Sequence, residues 1–215
     1  VSADGRFIAF TSSATKLVAG DTNAVDDIFL RDRLTATTVR VSVASDGVPA
    51  NAGSDQPSIS ADGRLVVFWS TGTNLVPGDT NGTRDIFVHD RVTGATERVS
   101  VATGGAQANF GGQVGSISPN GRFVGFSSAA VNLVGGDTNG KEDVFLRDRQ
   151  LGTTVRVSEA TGGGQADQDN TTPALSADGR CIAFTSWSTN LVAGDSNGWP
   201  DIYLHDRNVS GLASL

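Results

Sequence analysis

"SADGRLVVF", residues 60–68, recurs four times in this chain, and the repetition decides the fold. "SADGRFIAF" begins at Ser2, "SPNGRFVGF" at Ser118 and "SADGRCIAF" at Ser176, so each copy follows the last by a constant 58 residues. A second stretch keeps the same period: "GDTNAVDD" from Gly20, "GDTNGTRD" from Gly78, "GDTNGKED" from Gly136 and "GDSNGWPD" from Gly194. A fixed period marks a repeat architecture, whose units bury their apolar surface against one another.

The second unit shows the plan. "QPSIS" (56–60) reads as a strand, and Ala61-Asp62-Gly63 as a tight turn, since Asp-Gly supplies a positive φ. "RLVVFWS" (64–70) is the next strand, followed by a long connection. "DIFVHDR" (85–91), a Thr93-Gly94 turn and "ATERVSV" (95–101) complete four strands, and a link rich in Gly, Ala and Asn (104–112) leads onward. The expectation is an all-β protein: a β-propeller of four-stranded antiparallel blades in a single domain over 1–215, with blades near 1–45, 54–103, 112–161 and 170–215.

Aromatic residues mark the core. Phe10, Phe68, Phe126 and Phe184 share one repeat position, and Phe29, Phe87, Phe145 and Tyr203 share another. Phe7, Leu65, Phe123 and Cys181 share a third, which makes Cys181 a small buried hydrophobe. The ends are ragged. Unit one lacks the start of its first strand, as a processed or truncated product would, and unit four ends "NVSGLASL", unlike "TTVRVSV". Four blades closing a ring and four blades of a larger ring both remain open. Open ends would also allow chains to self-associate.

Composition narrows the function. The chain has 27 Gly and no Met, which suits strands and turns. A net charge of −7 argues against nucleic acid, which requires a basic face. No apolar run reaches the ~18 residues that membrane insertion requires. One cysteine forbids an internal disulfide.

"PSISADGRLVVFWS" (57–70) and "DIFVHDRVTGATERVSV" (85–101) resemble the TolB-like (WD-like) propeller repeats of bacterial envelope and secreted proteins. The insert "NLVPGDTNG", with its following Asp, resembles a subgroup found in secreted bacterial proteins. The resemblance implies a periplasmic or extracellular setting and a binding role.

The acidic loops invite a metal. In D-x-N-G-x-x-D the first, third and seventh residues offer oxygen ligands, and Gly allows the turn that points them inward. The candidate ligands are Asp21, Asn23 and Asp27; Asp79, Asn81 and Asp85; Asp137, Asn139 and Asp143; Asp195, Asn197 and Asp201. Hard oxygen donors of this kind suit a structural Ca²⁺, up to one per blade. Two carboxylates at ~5 Å in an effective dielectric of ~20 repel by about 3 kcal/mol before screening. Unit one departs from the pattern, with Ala24 in place of the Gly and Asp26 as an extra carboxylate. The competing account is an Asx-type turn, in which Asp and Asn cap their own backbone.

Catalytic signals are sparse. His89 and His205 share a repeat position with Arg31 and Arg147 and read as a solvent-facing slot. The pairs Asp32-Arg33, Asp90-Arg91, Asp148-Arg149 and Asp206-Arg207 repeat in every unit and read as ion pairs or turn anchors. Trp69, Trp187 and Trp199 break the repeat, and exposed aromatics can stack on sugars or anchor a partner. Two functions stand: a calcium-stabilised, non-enzymatic binding or scaffold module for a glycan or protein ligand, and a carbohydrate-active hydrolase or lyase working at the central channel.

Overall fold

The structure, a computed structural model, describes residues 1–208 and, for their backbone, 212–214. Its strands form four sheets. β1 (Phe7–Ser12), β2 (Asp27–Asp32) and β3 (Thr37–Arg40) make the first. β4 (Ser54–Ile59), β5 (Leu65–Ser70), β6 (Asp85–Asp90) and β7 (Thr96–Arg98) make the second. β8 (Gly112–Ile117), β9 (Phe123–Ser128), β10 (Asp143–Asp148) and β11 (Thr153–Arg156) make the third. β12 (Asn170–Leu175), β13 (Cys181–Ser186), β14 (Asp201–Asp206) and β15 (Leu212–Ser214) make the fourth. Strands within a sheet are antiparallel and follow sequence order, as in the blades of a β-propeller. No helix among the described residues is long and apolar enough to cross a membrane.

The middle strands are apolar on both sides because both sides are covered. On β5, Val66 and Phe68 pack with Ile28 and Leu30 of blade one, while Leu65 and Val67 pack with Val124 and Phe126 of blade three. On β13, Ile182 and Phe184 pack with Val144 and Leu146 of blade three. Inside each blade the aromatic pairs sit directly across the ladder, Phe68 opposite Phe87 and Phe126 opposite Phe145, with ring centroids 6.0 and 5.7 Å apart.

Three apolar clusters thus fill the three junctions, and among the described residues no fourth cluster joins blade four to blade one. Ile202 is 44% exposed where its counterparts Ile28, Ile86 and Val144 are fully buried. Cys181 is likewise only half-buried, contrary to the sequence expectation, since among the described residues no glycine turn packs on it as Gly63 packs on Phe7.

An Asp-Gly-Arg turn, or Asn120-Gly121-Arg122 in blade three, locks each junction. In blade two, Ser60 Oγ donates to Asp62 Oδ1 (2.6 Å), and that carboxylate accepts the Arg64 amide (2.9 Å). Gly63 adopts φ +71°, and a Cβ there would lie 2.2 Å from Phe7 Cδ2 of blade one. Gly121 and Gly179 meet Leu65 and Phe123 in the same way, each at 2.1 Å. Arg91 covers the Phe7 ring at 4.0 Å while donating to its own blade's Gly63 carbonyl (2.6 Å). Backbone bonds add to the lock: the Ala3 amide donates to the Ala61 carbonyl, and the Ala61 amide to that of Pro119.

One strand boundary needs correction. The fourth strand of blade two was expected to run to Val101 but stops at Arg98, because Ser100 leaves the ladder to serve the acidic loop. The fourth blade completes its sheet although "GLASL" does not match its counterparts. Ser214 pairs with Tyr203 as Arg40 pairs with Phe29, since the ladder needs only backbone.

Gly63→Ala combines left-handed strain with a steric clash and is expected to cost about 3 kcal/mol in urea unfolding. Gly20→Ala, also at positive φ but with nothing within 4 Å, is expected to cost about 1 kcal/mol. Equal losses would contradict the junction packing.

Candidate functional site

The acidic loops sit at the start of the third strand of each blade. Asp27, Asp85 and Asp143 open β2, β6 and β10 and are fully buried. Each is held from several sides. Ser42 and Ser158 donate to Asp27 Oδ1 (2.7 Å) and Asp143 Oδ1 (2.6 Å), and Ser100 serves Asp85 likewise. The loop Asn donates Nδ2 to the other oxygen: Asn23 to Asp27 at 2.9 Å, Asn81 to Asp85 and Asn139 to Asp143 at 3.0 Å.

The third partner was not foreseen. Arg40 on β3 places its guanidinium between Asp21 (3.4 Å) and Asp27 (3.2 Å). Arg98 on β7 does the same for Asp79 (3.3 Å) and Asp85 (3.2 Å). Arg156 on β11 lies between Asp137 (3.5 Å) and Asp143 (3.6 Å). In blades one to three, an arginine from the same sheet therefore offsets the repulsion between the carboxylates. The signal was visible in the sequence, an Arg at the same position of three units, but it lies on a strand thirteen residues past the second Asp.

These three loops are also Asx turns. The Oδ1 of Asn23, Asn81 and Asn139 accepts the amide of Val25, Thr83 and Lys141. With a guanidinium between the carboxylates, the donor set of these three loops does not fit Ca²⁺ unless the arginine withdraws. The compensation is nonetheless incomplete. One oxygen each of Asp21, Asp79 and Asp137 is buried without a hydrogen bond. Burial raises the pKa of Asp79, with the Asp85 charge second, and burial also raises Asp137 and Asp143. In blade one, Ala24 holds φ +54° where the other loops have Gly, and Asp26 is exposed.

The fourth loop is built differently. Ser214 stands in the register of the arginines, and Tyr203 replaces the phenylalanines. The Tyr203 hydroxyl donates to Asp195 Oδ2 (2.6 Å), and its own pKa is raised by burial and then by Asp195. Asn197 donates to Asp201 Oδ2 (3.1 Å) and accepts the Trp199 amide (2.8 Å). Asp195, Asn197, Asp201 and Tyr203 line an open cavity of about 310 Å³. The repeat's acidic pair is kept here, and its arginine is lost.

The remaining sequence-flagged residues have structural partners. The Asp-Arg neighbours do not pair with each other. Asp32, Asp90, Asp148 and Asp206 bind Arg6, Arg64, Arg122 and Arg180 of the preceding hairpin at 2.6–2.7 Å. These contacts depress the carboxylate pKa values, Asp206 to about 2. The expected solvent slot is closed at His89, which is buried and shares a 2.9 Å hydrogen bond with Thr96. Thr96 in turn donates to the Val43 carbonyl of blade one (2.6 Å), so the histidine belongs to a blade junction. In blade four Leu212 replaces that threonine, and His205 Nδ1 has no hydrogen-bond partner among the described residues. Burial lowers both histidine pKa values.

No family model matches the chain, and no curated protein does. Solved structures do. TolB from Acinetobacter baumannii aligns with 100% of this chain over 41% of its own length, at 21% identity and a TM-score of 0.57. Putative TolB from Agrobacterium tumefaciens aligns with 100% of this chain over 62% of its length, at 16% identity and a TM-score of 0.61. The β-propeller domain of the Trilobed protease from Pyrococcus furiosus aligns with 98% over 54% of its length, at 10% identity and a TM-score of 0.55. The chain thus spans less than two thirds of these proteins. At such identities the likeness shows the fold alone, a β-propeller.

Arg98→Ala leaves Asp79 and Asp85 buried without a cation and is expected to cost about 3–5 kcal/mol at pH 7. The sign with pH follows from the raised Asp79 pKa: the folded variant takes up a proton more readily than the unfolded chain, so the deficit shrinks as pH falls toward that pKa. Urea unfolding at pH 7 and pH 4.5 measures it, and a deficit unchanged between them would contradict the uncompensated pair.

Proposed function

We propose that this chain is a non-enzymatic binding module of the extracellular or periplasmic space, in which Ca²⁺ serves as a structural ion at the blade-four loop. The observation behind this reading is where the repeat is broken. Ion pairs and caps that recur in every blade are spent on the fold. Several residues that depart from the repeat, Asp169, Trp187, Trp199 and Tyr203, lie in blade four and the link into it, while Trp69 of blade two is covered by Arg84. A scaffold of repeated sheets with a locally varied loop face is how propellers acquire ligands.

The metal assignment narrows for a chemical reason. Asp195, Asn197 and Asp201 offer the same oxygens as the other loops, with Tyr203 as an added neutral neighbour and no arginine in register. Bound Ca²⁺ would supply the charge that Arg40, Arg98 and Arg156 supply elsewhere, and would fix the long crossover to its own blade. The catalytic reading has less support, since His89 is enclosed at a junction and His205 shares its repeat position. The sequence resemblance suits a periplasmic or extracellular setting, where Ca²⁺ is available.

Ca²⁺ added to chelator-treated protein is expected to raise Tm, by the equivalent of about 2.7 kcal/mol at a hundredfold excess over Kd. The increment should vanish in Asp201→Asn and persist in Asp137→Asn. No increment in the wild type, or one that survives Asp201→Asn, would overturn the assignment.

A further inference from the structure

At the junction of blades three and four the loop face opens into a cavity of about 600 Å³. Its lining includes Glu142, Gln168, Asp169, Thr171, Trp187 and Thr189. The size suits a small organic ligand, which commonly fills a few hundred to a thousand Å³. Trp187 is 47% exposed there, a large apolar surface to leave in water.

The repeat serves as its own control. The positions of Trp187 hold Ser13, Thr71 and Ala129 in the other blades, and those of Asp169 hold Gly53 and Gly111. The fold needs neither a tryptophan nor a carboxylate at these points. At the preceding junction Arg84 lies over the Trp69 ring at 5.3 Å, so the chain covers that tryptophan itself. Glu142 takes the place of Arg84 at the next junction.

The wall is held in place before any ligand arrives. The Trp187 amide donates to the Asp169 carbonyl (3.1 Å), and Asp169 Oδ1 accepts the Glu142 amide (3.0 Å). Glu142 Oε1 accepts Ser127 Oγ (2.6 Å). Lys141 Nζ donates to Gln168 Oε1 (3.3 Å), which turns the Gln168 amide nitrogen to other partners. These bonds leave Asp169 Oδ2 and Glu142 Oε2 as acceptors, Gln168 Nε2 as a donor and Thr171 Oγ1 as either. A cationic group would use the two carboxylates and the ring face but would leave the Gln168 amide donor without a partner. A hydroxylated ring presents donors, acceptors and an apolar C–H face together, and a tryptophan face suits the last of these.

We propose that this cavity binds a saccharide ring stacked on Trp187, with its hydroxyls on Asp169, Glu142 and Gln168. The assignment rests on the binding-module reading and names its ligand class. Two substitutions copy solutions the chain already uses, Trp187→Thr (as Thr71) and Asp169→Gly (as Gly111), so both variants should fold. The probes are soluble cello-, chito-, malto- and xylo-oligosaccharides, with an Arg-rich peptide as the cationic comparison, followed by tryptophan fluorescence and calorimetry. At least one oligosaccharide should bind the wild type, Trp187→Thr should weaken it tenfold or more, and Asp169→Gly should weaken it several-fold. Saccharide binding that survives Trp187→Thr would overturn the site while leaving the module reading intact. Peptide binding lost in Trp187→Thr, without saccharide binding, would overturn the ligand class but keep the module. Silence toward every probe would overturn the saccharide assignment, and the calcium-dependent Tm shift would still be read independently.

Discussion

A glycine turn seated against an apolar side chain of the preceding blade is the contact on which this molecule depends. A four-stranded sheet with apolar residues on both faces has no stable existence alone in water. Each blade solves this by receiving the next. The turn must approach to within the space of a missing Cβ, and the arginine after the third strand then closes over the same side chain. Because sheet, turn and arginine all repeat, the solution for one junction serves all three.

That regularity separates structure from function. Buried carboxylates in the crossovers are a cost of the design, and three blades offset it with an arginine from their own last strand. The fourth blade keeps the carboxylates, drops the arginine and exchanges a phenylalanine for a tyrosine. The same blade carries the exposed Trp187 and Trp199. Departure from the repeat, rather than membership in it, is what points to binding.

Much of this was legible in sequence. The constant spacing of the Asp/Asn-Gly-Arg turns and of the paired aromatics defines the blades, and the burial of both faces of β5 and β9 follows from their stacking. The arginines were missed because the loops were read against their near neighbours, while Arg40, Arg98 and Arg156 reach the carboxylates only after a hairpin folds back. The burial of His89 was missed for a related reason: Thr96 and the Val43 carbonyl that enclose it come from two different blades. Cys181 was read as buried by analogy with Phe7, Leu65 and Phe123, but burial at that position is supplied by the following blade and not by the residue itself. Register in β15 was hidden because a backbone ladder makes no demand on side chains.

Amide hydrogen exchange at repeat-equivalent positions tests the mutual support of the blades most directly. Val88 of β6 and Leu146 of β10, each in a blade flanked on both sides, should exchange slowest. Leu30 of β2 and Leu204 of β14, each in a blade with one open face, should exchange measurably faster. Equal protection at all four positions, or slowest exchange at Leu204, would contradict the account.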